Sequence, residues 1–323
     1  MRIGRLMVGL VVAGTCAGSM AAEGDGANAA LGYYRAWMNQ TPELQEVLVT
    51  GGETLSLAAG GEDLLASSQE TINALLSATR SGEADWDIAY EEGPGALLPH
   101  LGKMRASAKI LAADALRCAN AGDHAGAAQR AAALYRMSGQ VSQDDILICS
   151  LVGMAISQLG NGLTTQLIDQ GALDAAGATA VLTAIHSAPS DRFGMRDAII
   201  GEWRIISESV LRNSGEEHPG AWLMEQIQMD EESELQRDVA AMTRGELLDQ
   251  LGGFARYHSD MLVAWDAKDA EALSKVEAGV EENTYGMLTR LLGAPMSRAF
   301  ASQQRFDADL EVLIGKLEGI ERK

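Results

Sequence analysis

Cysteine, proline, aromatic residues and positive charge are all scarce in this chain of 323 residues, which has 3 Cys, 6 Pro, 5% aromatics, and 25 Lys and Arg against 45 Asp and Glu. So few cysteines cannot build a disulfide scaffold. So few prolines leave long stretches free to run as helices. A formal charge of −20 without any Lys/Arg cluster opposes binding to nucleic acid or anionic lipid, both of which require basic patches. Beyond the N-terminus the longest apolar run, "ILICSLVGMAI" at 146–156, covers about half of a bilayer span, so no membrane span is expected. HExxH, paired CxxC, the Walker loop, GxSxG and GxGxxG are all missing. None of the five histidines, at 100, 124, 186, 218 and 258, has a second histidine three or four residues away, so no helical zinc pair forms. No cofactor, metal or catalytic group is expected on these grounds.

The N-terminus does have a character of its own. Arg2 and Arg5 precede the apolar run "LMVGLVVAG", and Ser19 and Ala21 supply the small residues of a cleavage site, so residues 1–21 read as an export signal. Removing them takes away two arginines and no acid, leaving 22–323 more acidic still. "AGTC" before Cys16 lacks the flanking residues of a lipid-modified cysteine, which argues against an anchor. The mature protein is therefore expected outside the cytoplasm, periplasmic or extracellular.

Periodicity predicts an all-α fold. Leu97, Leu101, Met104, Ala108, Leu111, Ala115 and Cys118 step by four and three, as do Leu247, Leu251, Phe254, His258, Met261 and Trp265. So do Ala299, Gln303, Phe306, Leu310, Leu313, Leu317 and Ile320, while Met195, Ile199, Trp203, Ile206 and Val210 mark a fourth stripe. Ser142 with Asp145, and Thr243 with Glu246, read as capping boxes, and "APSD" at 188–191 as a cap for the next helix. The apolar segment 146–168 is expected at the centre. "DEESE" at 230–234 suits a solvated first turn. "EVLVTGGETLSL" at 46–57 reads as a β-hairpin or as helix with a loop. The chain is expected to form a single helical domain, with "NSGEEHPG" at 213–220 as the best candidate for an internal boundary. Cys118 and Cys149 fall at heights along their helices that differ by more than a disulfide spans, so two buried free thiols are expected.

The hairpin "LAADALRCANAGDHAGAAQRAAALYR" resembles one tetratricopeptide unit. Leu111, Ala115, Gly122, Asp123 and Ala127 fall where that motif places its large, small, turn and small residues, while Cys118 and Ala131 replace its aromatics and no proline closes it. The order of features is also similar to that of a group of exported, all-helical bacterial proteins with no established activity. The matching segments are Asn28 to Ala36, Asp85 to Leu101, Gly122-Asp123 and Leu151 to Ile156. The first resemblance implies antiparallel hairpins stacked in a solenoid-like array, whose concave faces bind peptides or protein segments.

Chemistry, if any, is expected in "DWDIAYEEGPGALLPH". Asp85, Asp87, Glu91, Glu92 and His100 there accompany Trp86 and Tyr90, the carboxylate and aromatic groups that bind sugars or cations. The competing reading is a structural crossing segment. In it, Trp86 and Tyr90 pack inward, the four acids face water, and Pro94 and Pro99 hold off helix formation until Leu97. Elsewhere, His258 reads as a core histidine, His218 beside Glu216 and Glu217 as an exposed loop, and Glu202 with Arg204 as a surface pair. The function expected is an exported helical binding or scaffold protein without catalytic activity. The alternative is an envelope carbohydrate hydrolase, or a sugar- or cation-binding protein, using the 85–100 segment.

Overall fold

A computed structural model describes residues 28–45, 61–188, 191–227 and 233–322. The expected export signal, the 46–57 hairpin and most of the 230–234 acidic run lie outside them. Among the described residues every regular element is helical and no strand occurs, as the periodicity predicts. The helices are α1 Ala29–Met38, α2 Gly61–Ser67, α3 Gln69–Ala78, α4 Pro99–Asn120, α5 His124–Val141, α6 Leu147–Asp169 and α7 Ala175–His186. They continue with α8 Met195–Asn213, α9 Pro219–Ile227, α10 Glu234–Ala240, α11 Arg244–Asp266, α12 Ala270–Glu281, α13 Met287–Leu292 and α14 Ser297–Glu321. A 3-10 turn, Tyr90–Gly95, sits between α3 and α4.

Small residues set the packing of the first half. Ala127, Ala128, Ala131, Ala132 and Ala133 are all buried on α5, so α4, α6 and α7 approach it closely. The centre of the fold is therefore α5, where the apolarity of 146–168 had pointed to α6. α6 keeps one side open, with Ile148 and Leu151 on the surface. By length and composition α6 could cross a bilayer, contrary to expectation from the shorter run at 146–156. In the fold it packs on α4, α5, α8 and α14 and buries Ser150, Ser157 and Thr164 with its apolar residues. The α4–α5 hairpin also carries a charge in its interior. Asp114 is fully buried and accepts hydrogen bonds from Arg130 Nε, from Arg117 Nε at 2.6 Å and from Gln69 Nε2 at 3.2 Å, which ties α3 to the hairpin.

Two apolar cores result. The larger involves α1–α8, α11, α12 and α14; the smaller is built from Ile206, Val210, Leu223, Val239, Met242, Leu247, Phe254 and Leu288. α8 and α11 run through both. The last helix returns to pack on α6 and α7, where Phe306 meets Phe193 edge-on at 5.1 Å.

Local signals met mixed outcomes. Thr243 and Glu246 form the expected capping box at α11, and Ser233 with Gln236 forms another at α10. Ser142, by contrast, closes α5 as its C-cap; α6 starts after Ile146 with no side-chain cap. α8 starts after Gly194, not at Asp191. Leu97 is exposed ahead of α4, because Pro99 opens that helix in its first turn, where proline suits the unpaired N–H positions. Trp203 also lies on the surface, off the stripe that Met195, Ile199, Ile206 and Val210 bury. Cys118 and Cys149 are both buried and unbridged.

Candidate functional site

The 83–98 segment crosses between α3 and α4 without the period of an α-helix, and side-chain bonds to its backbone fix its course. Asn28 bonds both the N–H and the C=O of Asp85 through its amide, at 3.0 and 2.8 Å, and the Ala84 N–H donates to Gln143 at 2.7 Å. The Asp85 carboxylate accepts from the Asp87 N–H at 3.0 Å, an Asx-type turn consistent with the positive φ of Asp87. Gly93 also has a positive φ, and any Cβ there would collide with Ser209 on α8, so a close approach fixes this glycine.

The seven candidate residues divide by direction. Asp85, Asp87, Glu91 and Glu92 are exposed, and Asp85 lies near enough to Asp144 for the two carboxylates to repel. Trp86 is buried and stacks on His100 (centroids 4.5 Å apart, 12° between planes) and on Trp37 at 5.9 Å, with Tyr33 at 5.6 Å. Tyr90 is half-exposed at its ring, and its hydroxyl donates to Asp144 Oδ1 at 2.7 Å.

That hydroxyl leads to a trio that spacing in the chain does not reveal. A ring nitrogen of His100, a carboxylate oxygen of Asp144 and Sγ of Cys149 lie within 4.8 Å of one another. His100 stands in the first turn of α4, Asp144 in the loop before α6, and Cys149 in the first turn of α6. His100 is 1% exposed and Cys149 fully buried. His100 Nε2 and Asp144 Oδ2 are buried without a hydrogen-bond partner, as is Trp86 Nε1. Burial pushes the His100 imidazole down to about 4. Burial, and then the charge of Asp144, pushes the Cys149 thiol up to about 12. Burial raises Asp144 to about 6 against the Tyr90 hydrogen bond, which holds it down. A nucleophilic cysteine needs its thiol lowered and a base to take its proton; this trio has the opposite polarity. Gly201 holds the neighbouring loop in place, since a Cβ there would overlap the Asp145 backbone.

On the other side of the same loop lies a cleft of about 750 Å³. Arg80 beyond α3, Arg136 of α5 and Arg192 before α8 converge on it, beside Ser81, Gln143 and Ser187. Gln140 braces its rim. Its Oε1 accepts from Tyr33 Oη at 2.6 Å, and its Nε2 faces the carbonyls of Ala78, Ser81 and Gly82 at 3.0–3.2 Å. Arg136 is lowered by burial and then by the repulsion of Arg80; Arg192 is lowered by burial, with Asp307 opposing. Arg192 donates to the Ile185 carbonyl at 2.9 Å, whereas Arg80 and Arg136 form no ion pair among the described residues. Asp145, Asp191 and Asp197 also line the cleft, and Asp145 is engaged by Arg204 at 3.2 Å.

Glu202 departs from the expected surface pair. It lies two residues from Arg204 and so points to another side of α8. It sits instead on an apolar pocket of about 280 Å³ with Leu98, Ile146 and Ile206, and burial raises it to about 7 while a bond from the Leu147 backbone lowers it. His258 is buried against Phe254 and Tyr257, its Nδ1 3.0 Å from the Phe254 carbonyl, as a core histidine should be. His218, Glu216 and Glu217 are exposed.

No protein family, curated protein or solved structure matches this chain.

Proposed function

We propose that this chain is an exported helical binding protein that holds a small polyanion in the arginine-lined cleft. One observation carries the reading. In a chain of formal charge −20, three arginines from separate elements meet in one cleft, and none of them forms an ion pair with a carboxylate among the described residues. With Asp145 engaged by Arg204, the three guanidiniums outnumber the remaining Asp191 and Asp197, and an anionic ligand relieves the repulsion between Arg80 and Arg136. Guanidinium forks match phosphate and carboxylate oxygens, and the volume suits a small molecule.

Titration calorimetry with inorganic pyrophosphate and with citrate, at low and moderate salt, tests this. The expected result is one site, weakened at least tenfold by Arg136→Gln and by Arg80→Gln with folding intact. Absence of binding by either anion, or affinity unchanged in both variants, overturns it.

The finer architecture we read as the start of a solenoid-like, tetratricopeptide-like array. The packing of α6 on both α4 and α5, and of α7 on α5, supports this, since stacked repeats place each hairpin against the one before. Export rests on Arg2, Arg5 and the apolar run that follows, and on the likeness to exported helical proteins; N-terminal sequencing of the mature protein checks it, and a start at Met1 refutes it. The carbohydrate-hydrolase reading draws no support from Asp85, Asp87, Glu91 and Glu92, which lie open to solvent and not in an enclosed cleft that could hold a sugar.

A further inference from the structure

We propose that His100, Asp144 and Cys149 form a binding site for a divalent transition-metal ion, zinc above all. Three donors of the kinds zinc takes, imidazole nitrogen, carboxylate oxygen and thiolate sulfur, converge from three separate places in the chain. A buried polar atom ordinarily has a partner. Here His100 Nε2 and Asp144 Oδ2 both lack a partner, on two residues whose donor atoms approach within 4.8 Å of each other and of Cys149 Sγ. One cation between them satisfies both and engages the adjacent sulfur.

The surroundings are those of a ligand-orienting shell. Tyr90 Oη donates to Asp144 Oδ1 at 2.7 Å, which leaves Oδ2, the orphaned oxygen, without a protein partner. The Trp86 ring lies nearly parallel to the His100 imidazole and fixes its plane. Such outer partners hold metal ligands in position. The charges also close. A dication meets one carboxylate and one thiolate beside a neutral imidazole, so the buried complex is neutral and avoids the desolvation cost of an isolated ion. The Cys149 thiol gives its proton to solvent as the sulfur–metal bond forms, so one proton leaves for each ion bound at that ligand. Donors on a tetrahedral zinc sit about 3.5 Å apart, so the trio, now within 4.8 Å, contracts by side-chain rotation as the ion enters. Zinc takes four ligands, so the site needs one further donor, such as a single water, beside the three from the protein.

The test uses the full chain after chelation and dialysis, titrated with Co²⁺ as a spectroscopic stand-in for zinc. Expected are a sulfur-to-cobalt charge-transfer band at one equivalent per chain and its loss on adding Zn²⁺. The band should disappear in Cys149→Ala and persist in Cys118→Ala. Tyr90→Phe, which keeps all three ligands, should bind tenfold to a hundredfold more weakly. Should Cys149→Ala fail to fold by circular dichroism, Asp144→Asn and His100→Gln take its place, each expected to shift or abolish the band. No band in the wild type, a band retained in Cys149→Ala, or an unaltered spectrum and affinity in both substitutes overturns the site.

Discussion

Asp114 places a carboxylate in the interior of the α4–α5 hairpin. Its carboxylate is fully buried and bonded to Arg130, to Arg117 and to Gln69, and the Arg130 side chain is itself only 7% exposed. Asp114→Ala strands that guanidinium inside the α4–α5 hairpin. Removing one member of a buried pair costs about 3–5 kcal/mol, mostly from the charge left behind. At about 2–4 °C per kcal/mol for large domains, the melting temperature should fall by roughly 6–20 °C. The stranded charge has a separate signature. Asp114→Leu combined with Arg130→Met removes both ions and refills the space, and should recover most of the loss, to within about 1–2 kcal/mol of wild type. Urea denaturation followed by far-UV circular dichroism reads both. A single variant within about 1 kcal/mol of wild type, or a double variant as unstable as the two single changes added together, refutes the reasoning.

Trp86→Ala should cost about 3–5 kcal/mol, since it empties a space between Trp37, Tyr33 and His100; replacing Asp85, Asp87, Glu91 and Glu92 by their amides should leave the melting curve nearly unchanged, because exposed changes rarely exceed about 0.5 kcal/mol each. Gly201→Ala should destabilise by about 1–3 kcal/mol through its clash with the Asp145 backbone, read in the same urea titration. His258 has a folded pKa near 4, pushed down by burial, so its contribution is whole above the ordinary value of about 6.5 and is lost as pH falls toward 4; stability measured at pH 7 and pH 5 should differ by about 2 kcal/mol less in His258→Phe than in wild type. Cys118 and Cys149 should resist iodoacetamide until the chain unfolds, and mass spectrometry of non-reduced protein should find no peptide linking them.

Helices are legible wherever a four-and-three stripe faces the interior, as in α14 with one core and α11 with two, because burial on one side of a helix demands that spacing. The centre was harder to read. α5 is held by alanines that allow close approach, and hydrophobicity alone ranks α6 above it. The pairing of Asp114 with Arg130 leaves no mark in the small-residue hairpin's sequence, since neither helix shows that the two face each other until they are packed. Of the candidate site, Trp86, Tyr90 and His100 were singled out from a single stretch, but Asp144 and Cys149 come from beyond a whole hairpin. Arg80, Arg136 and Arg192 form no basic cluster in the sequence and meet only across a cleft between elements. Constellations assembled by topology leave no local spacing to read.

The return of α14 onto α6 and α7 has a bearing on the order in which the protein matures. Chains emerge from the ribosome N-terminus first, and segments fold as their partners appear. α4 to α7 can pair with near neighbours soon after they are made, but Phe193 waits for Phe306, and the faces of α6 and α7 wait for Leu310, Leu313 and Leu317. Until nearly the whole chain is synthesised those faces stay open, so the nascent protein passes through a long interval of sticky, incomplete structure. Its yield in a cell is therefore tied to whatever holds that surface during synthesis, a dependence that the finished molecule, once α14 has docked, no longer displays.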